Sequence, residues 1–180
     1  MPTSRLLCFI NSSGMALVNV YFSLGSNLGD REGNIAEALR RMDESFGRHY
    51  SALSGLIETE PMGFSGDRFL NAAVLYRLPI FPVPELVEGP LSVLKTVKTI
   101  EREMGRTDVP EYDADGNRIY HSRVIDIDIL FYGSEIVDIP ELTIPHKGIS
   151  DRPFVMVPLR EIARPSLRKA FPEYFKDEKK

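Results

Sequence analysis

A chain of 180 residues, 43% hydrophobic and 27% charged, is long enough for one domain with a real hydrophobic core. Its net charge of -4 argues against a non-specific binder of nucleic acid or of an anionic membrane, although a local basic cluster could still hold a small anion. The single cysteine, Cys8, excludes an internal disulfide and a cysteine-based zinc cluster, which points to a reducing compartment.

The apolar run at residues 6–10 is short and no small-residue cleavage site follows it, so it does not read as a signal peptide. No stretch is long enough to span a membrane. Residues 1–14 are expected to form an unstructured extension, with translation from Met15 and one domain over residues 15–175.

Residues 17–24, rich in β-branched and aromatic side chains, predict a strand. A turn follows at residues 25–29. Asp30 is then a helix N-cap, with Ile35, Leu39, Met42 and Phe46 at helical spacing and Gly47 as the stop. Two strands are expected at residues 51–58 and 69–78, joined by a loop rich in glycine and proline. Pro79, Pro82, Pro84 and the Gly89-Pro90 pair forbid a helix through residues 78–90. The next helix is placed from Leu91 to Met104, with Leu94, Val97, Ile100 and Met104 inward. Glu101 lies at the edge of that stripe, as a buried acid or as a glutamate reaching for solvent.

Residues 106–120 are polar and read as a long mobile loop of the kind that forms lids. RVIDIDILF at 123–131 reads as a strand. Alternation sends Ile125, Ile127, Ile129 and Phe131 one way and Val124, Asp126, Asp128 and Leu130 the other. Two neighbouring carboxylates repel unless water or a cation relieves them, and Mg²⁺ binds through one or two carboxylates plus phosphates. A short strand is expected at residues 135–137, then a proline-punctuated stretch over 140–158, and a last helix within 159–175. The order strand-helix-strand-strand-helix-strand is the split βαβ order of a ferredoxin-like α+β sandwich, with a mostly antiparallel sheet and helices packed on it. Many functions use that fold.

The chemistry-bearing parts fit phosphoryl transfer, which needs metal-holding carboxylates, cationic clamps and a closable loop. Asp126 and Asp128 supply the first. Arg106 and Arg123 bracket the long loop and could grip phosphate oxygens bidentately, although strict alternation puts Arg123 on the isoleucine face. There is no Walker A loop, no G-x-G-x-x-G and no kinase catalytic loop. His49, His121 and His146 are too scattered for a histidine metal site.

FSLGSNLG at 22–29, TEPMG at 59–63, FLNAAV at 69–74, IEREMGR at 100–106, SRVIDIDILFYG at 122–133, IPH at 144–146 and RPF at 152–154 occur together and in order. In this combination the chain resembles the 6-hydroxymethyl-7,8-dihydropterin pyrophosphokinases of folate biosynthesis. The resemblance implies transfer of diphosphate from ATP to the pterin hydroxymethyl group, releasing AMP. It implies that Asp126 and Asp128 bind two Mg²⁺ ions and that Arg106 and Arg123 act catalytically on the phosphates. ATP would be bound by Glu101, Arg106, Arg123, His146 and Arg152. The pterin would sit between Phe69 and Phe154, with Asn71, Thr59, Glu60 and Met62 along its edge. The implied partners are these small molecules alone, with no nucleic acid and no membrane, for a monomeric cytoplasmic enzyme. Asp108 and Tyr120 depart from the family pattern, and Gly89-Pro90 reads as an insertion at a helix start. A non-catalytic ferredoxin-like module binding a nucleotide or a protein is the alternative.

Overall fold

The computed structural model describes residues 9–10, 16–62, 65–80, 88–107, 111–112, 114–116, 118–119 and 121–176. Strand β1 (Phe9–Ile10) pairs antiparallel with the start of β2 (Ala16–Ser26). The expected unstructured extension therefore meets one paired segment; the rest of residues 1–14 lies outside the described residues.

β2 leads into helix α1 (Arg31–Phe46). The Asp30 carboxylate accepts from the Gly33 N–H at 3.0 Å, and Gly47 closes the helix at φ 64°. The single strand expected at residues 51–58 is two pieces, β3 (Ala52–Leu53) and β4 (Ile57–Thr59), both paired with β5 (Phe69–Pro79).

Helix α2 (Glu88–Glu103) starts earlier than the proline pattern predicts. Pro90 stands in its first turn, where a helix has no partner for a backbone N–H, so Gly89-Pro90 opens the helix and does not interrupt it. Residues 81–87 lie outside the described residues. The segment read as an open loop carries a small hairpin, β6 (Glu111–Tyr112) with β7 (Arg118–Ile119); Asp108 and Tyr120 are not among the described residues.

β8 (Asp126–Tyr132) returns to pair with β2. β9 (Val137–Ile139), two residues later than expected, pairs with an unanticipated β10 (Leu142–Ile144). Helix α3 (Pro153–Ile162) forms in the stretch read as proline-punctuated, with Pro153 at its first position and Pro158 inside it. α4 (Pro165–Ala170) falls within the span expected for the last helix, and a 3-10 turn (Pro172–Tyr174) follows it. No described helix is long and apolar enough to cross a membrane.

β8, β2 and β5 lie side by side, with β3 and β4 on the far edge of β5, and every pairing is antiparallel. This is the expected α+β sandwich. On one face, Val20, Phe22 and Leu24 of β2 and Ile127 and Ile129 of β8 pack with Ile35, Met42, Val97 and Ile100 of α1 and α2. Each such fully buried side chain contributes about 1.5–3 kcal/mol. On the other face, Tyr21, Leu75 and Phe131 pack against Val155 and Leu159 of α3 and Phe171. That second core covers only part of its face, and the uncovered end of the sheet carries the polar positions.

One facing assignment changes. The β2–β8 register shifts between Tyr21 and Phe22: Tyr21 opposes Phe131 while Phe22 opposes Ile129. Leu130 is the extra residue of a bulge, and Phe131 turns onto the face of the two aspartates.

Candidate active site

Alternation along β2 alone gives the site its floor. Ser23 and Gly25 face away from the α1–α2 core, and they lie opposite Asp128 and Asp126 in the register. Gly25 also lies opposite Asn71 of β5. A side chain at Gly25 would meet the Asn71 Oδ1 at 3.1 Å and the Phe69 ring at 3.5 Å, so glycine is what lets these groups close over the strand.

A cavity of about 320 Å³ opens above this floor. Asp126, Asp128 and Arg123 line one side of it. Phe69, Asn71, Thr59, Glu60 and Met62 line the other, with Arg152 and Phe154 from the start of α3 also on its wall. Ten of the thirteen residues singled out in the sequence thus share one cavity wall, with Met62, 58% exposed, at its rim. Glu101, Arg106 and His146 stand behind it.

Those three are reached through the aspartates. The Asp126 carboxylate accepts from Arg123 Nη1 at 2.8 Å through one oxygen and from Arg106 through the other. Arg106 in turn donates to the fully buried Glu101 at 2.7 Å. Glu101 accepts from Lys98 Nζ at 2.8 Å and from the Ile127 backbone N–H at 2.6 Å. The buried-acid reading of Glu101 therefore holds, and its partner on β8 ties the end of α2 to the aspartate strand. The conflict over Arg123 dissolves as well: it precedes β8, so strand alternation does not govern its side chain. His146 Nε2 lies 3.9 Å from the Asp128 carboxylate, and its Nδ1 accepts from the Gly148 N–H at 3.1 Å. The Arg152 guanidinium lies 5.9 Å from the centre of the Phe154 ring.

The electrostatics separate the two aspartates. Burial pushes Asp126 upward, but the Arg106 and Arg123 guanidiniums and Lys98 outweigh it and hold the carboxyl below its ordinary range. Asp128 is raised, by burial first and then by the neighbouring Asp126 charge, against the pull of His146, Lys98 and Arg152. Burial also raises Glu101, against Lys98 and Arg106. Among the described residues no group of three or more His, Cys, Asp or Glu forms a metal cage. Two carboxylates from alternate positions of one strand, facing one cavity, still fit a hard cation that takes its remaining ligands from phosphate and water.

At the aromatic end, Asn71 is buried and its amide donates to the Thr59 hydroxyl at 2.8 Å, which turns Oδ1 toward Gly25 and the cavity floor. Sequence reasoning missed Ser23, Gly25, Asn27 and Lys98. Ser23 and Gly25 carried a signal, since they sit at the small or polar positions of an otherwise aliphatic alternation. Asn27 stood inside the motif at 22–29 without an assigned role, and Lys98 carried no signal that local spacing reveals.

A carboxylate pair, arginines and an aromatic wall thus share one cavity of an antiparallel α+β sandwich. The sequence pattern of the 7,8-dihydro-6-hydroxymethylpterin-pyrophosphokinase (HPPK) family matches residues 21–164, and the chain belongs to that family. It is an enzyme of the pyrophosphokinase class.

Among its relatives, a 2-amino-4-hydroxy-6-hydroxymethyldihydropteridine pyrophosphokinase of Porphyromonas gingivalis is 40% identical over 146 residues, 80% of this chain and 90% of that protein. A mitochondrial folate synthesis bifunctional protein of Pisum sativum is 43% identical over 144 residues, 79% of this chain but 25% of that protein. This chain thus spans about a quarter of the bifunctional relative. A crystal structure of HPPK-DHPS in complex with substrates matches with a TM-score of 0.56 at 15% identity, over 88% of this chain and 43% of that one. A Plasmodium falciparum HPPK-DHPS structure with pteroate gives 0.54 at 15% identity, over 92% and 45%. At that identity the likeness shows the fold alone.

Proposed function

We propose that this protein transfers diphosphate from ATP to the hydroxymethyl group of 6-hydroxymethyl-7,8-dihydropterin, in folate biosynthesis. The observation that carries the reading is the cavity itself: a carboxylate pair with arginines and an aromatic wall with a buried amide face one space. One half suits a triphosphate, the other a flat heterocycle.

Phe69 and Phe154 offer apolar faces on which a pterin ring stacks. Asn71 offers an amide that can both donate and accept along the ring edge, with Thr59, Glu60 and Met62 beside it. Arg123 on the cavity wall and Arg106 behind it, both paired with Asp126, would act on the phosphates, and Glu101 keeps Arg106 in place. His146 and Arg152 flank the nucleotide side. Asp126 and Asp128 would hold Mg²⁺, and two ions bound there would neutralise phosphate charge for an in-line displacement.

In the reaction the pterin hydroxymethyl oxygen bonds to the β-phosphorus. The bond from that phosphorus to the α,β-bridging oxygen breaks, AMP leaves, and the hydroxyl proton passes to solvent. The residues named here orient the two substrates and carry charge, which is most of what such a reaction asks of a protein. In this reading one domain over residues 15–175 acts as a cytoplasmic monomer on small molecules alone.

The test is AMP formation from ATP and Mg²⁺, with and without the pterin. Pterin-dependent AMP without ADP supports diphosphate transfer. No AMP from folded protein that still binds ATP overturns it and moves the chain to the non-catalytic module.

A further inference from the structure

Asn27 has no part in the cavity wall, yet it is fully buried and every polar atom of its side chain is committed. Its Oδ1 accepts from the Arg123 backbone N–H at 2.7 Å, and its own backbone N–H donates to the Arg123 carbonyl at 3.2 Å. Its Nδ2 donates to the Asp67 carbonyl at 3.1 Å and to the Ser122 hydroxyl at 3.1 Å. A backbone donor on one side and a backbone carbonyl on the other leave the amide a single orientation.

These bonds join three segments far apart in sequence. Asn27 follows β2; Asp67 stands two residues before Phe69; Ser122 and Arg123 precede β8. Arg123 is not in a strand, so no sheet ladder holds its backbone. Both its N–H and its carbonyl are held by Asn27, and from that anchor its guanidinium reaches Asp126 at 2.8 Å.

We infer that Asn27 is a positioning residue that sets Arg123 against the phosphates and locks the Arg123 segment to the segment that carries Phe69. The inference rests on Arg123 acting on the phosphates. Asn27 touches neither substrate in this reading. It acts through Arg123, so its loss should show in turnover more than in ATP affinity. Misplacing a catalytic group by about 1 Å can cost on the order of a hundredfold.

The experiment compares wild type, Asn27→Ala, Arg123→Ala and the double variant in pterin-dependent AMP formation, with KM for each substrate and a thermal melt of each protein. Asn27→Ala is expected to lower kcat by about 10- to 100-fold while KM for ATP changes by less than about threefold. The double variant should be no slower than Arg123→Ala within about twofold, because two groups acting as one unit are not additive. A double variant slowed by the product of the two single factors, or an Asn27→Ala enzyme with unchanged kcat, overturns the inference.

Where Asn27→Ala does not fold, Ser122→Ala decides, since it removes one of the two Nδ2 acceptors. A drop in kcat of twofold or more that vanishes on the Arg123→Ala background supports the inference, and no change overturns it. Arg123→Ala with wild-type turnover would overturn the phosphate role of Arg123 itself, which is a separate failure.

Discussion

The two faces of the central sheet put the same strands to opposite uses. On the α1–α2 face, β2 and β8 present Val18, Val20, Phe22, Leu24, Ile127 and Ile129, and the helices close over all of them. On the α3–α4 face the same strands present Asn19, Tyr21, Ser23, Gly25, Asp126 and Asp128. There the apolar core stops at Tyr21 and Phe131, and the cavity takes over. Ile127 is fully buried between two aspartates whose side chains are 26% and 30% exposed. The contrast shows how a site can be built from rigid strand without weakening the core behind it. Period-two alternation separates stability and chemistry onto opposite faces at single-residue spacing.

Single substitutions in β8 should therefore divide sharply. Asp126→Ala is the largest expected effect on activity. Removing that carboxylate forfeits several kcal/mol of charge stabilisation, so kcat should fall by about a thousandfold or more. The melting temperature should move little by comparison. A residual rate within tenfold of wild type would break the division, because Asp126 would then be an ordinary wet position.

Next in size is its neighbour on the other face. Ile127→Ala leaves a cavity under α1 and α2 and should destabilise by about 2–5 kcal/mol. For a chain of this length that lowers the melting point by roughly 5–15 °C. Turnover per folded molecule, measured well below the melt, should stay within about threefold. A Glu101-dependent loss would be the informative exception, since the Ile127 N–H donates to that carboxylate.

How far this division was legible in the sequence depended on range. The pattern IDIDI announces its own two faces. Asp30 and Gly47 mark the ends of α1, and the order of elements is enough for the sandwich. Features set by contacts distant in sequence were not legible. The bulge at Leu130 exists only in relation to β2, so Phe131 was assigned to the wrong face. Pro153 and Pro158 read as helix breakers, yet one opens α3 and the other is buried within it. The polar residues 106–120 concealed a hairpin whose strands are two residues each, too short for any periodicity. In the site, motif matches brought out the residues that line the cavity. Of the groups that hold them, Asn27 stood inside the motif at 22–29 but its role, set across 96 positions of sequence, was not legible, and Lys98 beside Glu101 had no local signature.

Within the cavity, the aromatic end sharpens the comparison at smaller scale. Phe154→Ala removes a ring that lines the wall near the start of α3, at a partly exposed position. Loss of one stacking face costs about 1–3 kcal/mol in comparable base-binding sites, so KM for the pterin should rise about 5- to 150-fold. KM for ATP should hold. An equal rise in both would mean that the two halves of the cavity are not separable, and that Arg152, 5.9 Å from that ring, moves with it.

The smallest expected effect tests the closed face where α2 begins. Gly89 lies in the first turn of that helix, and a side chain there would meet the Tyr132 hydroxyl at 2.6 Å. Tyr132 is 7% exposed and belongs to the α1–α2 core, so its ring has little room to withdraw. Replacing glycine by alanine where the backbone permits it usually stabilises by about 0.4–1 kcal/mol, through the unfolded chain. Here the overlap should reverse the sign, because overpacking a filled core costs about 1–3 kcal/mol. Gly89→Ala is thus expected to melt lower than wild type by a few degrees, with turnover unchanged, since neither residue borders the cavity. A higher melting point would show that Tyr132 yields freely and that the closed face is looser at the start of α2 than under Ile127. The order of the four effects would still separate the site face from the core face, but the packing that separates them would then end at α2 and not extend across the sheet.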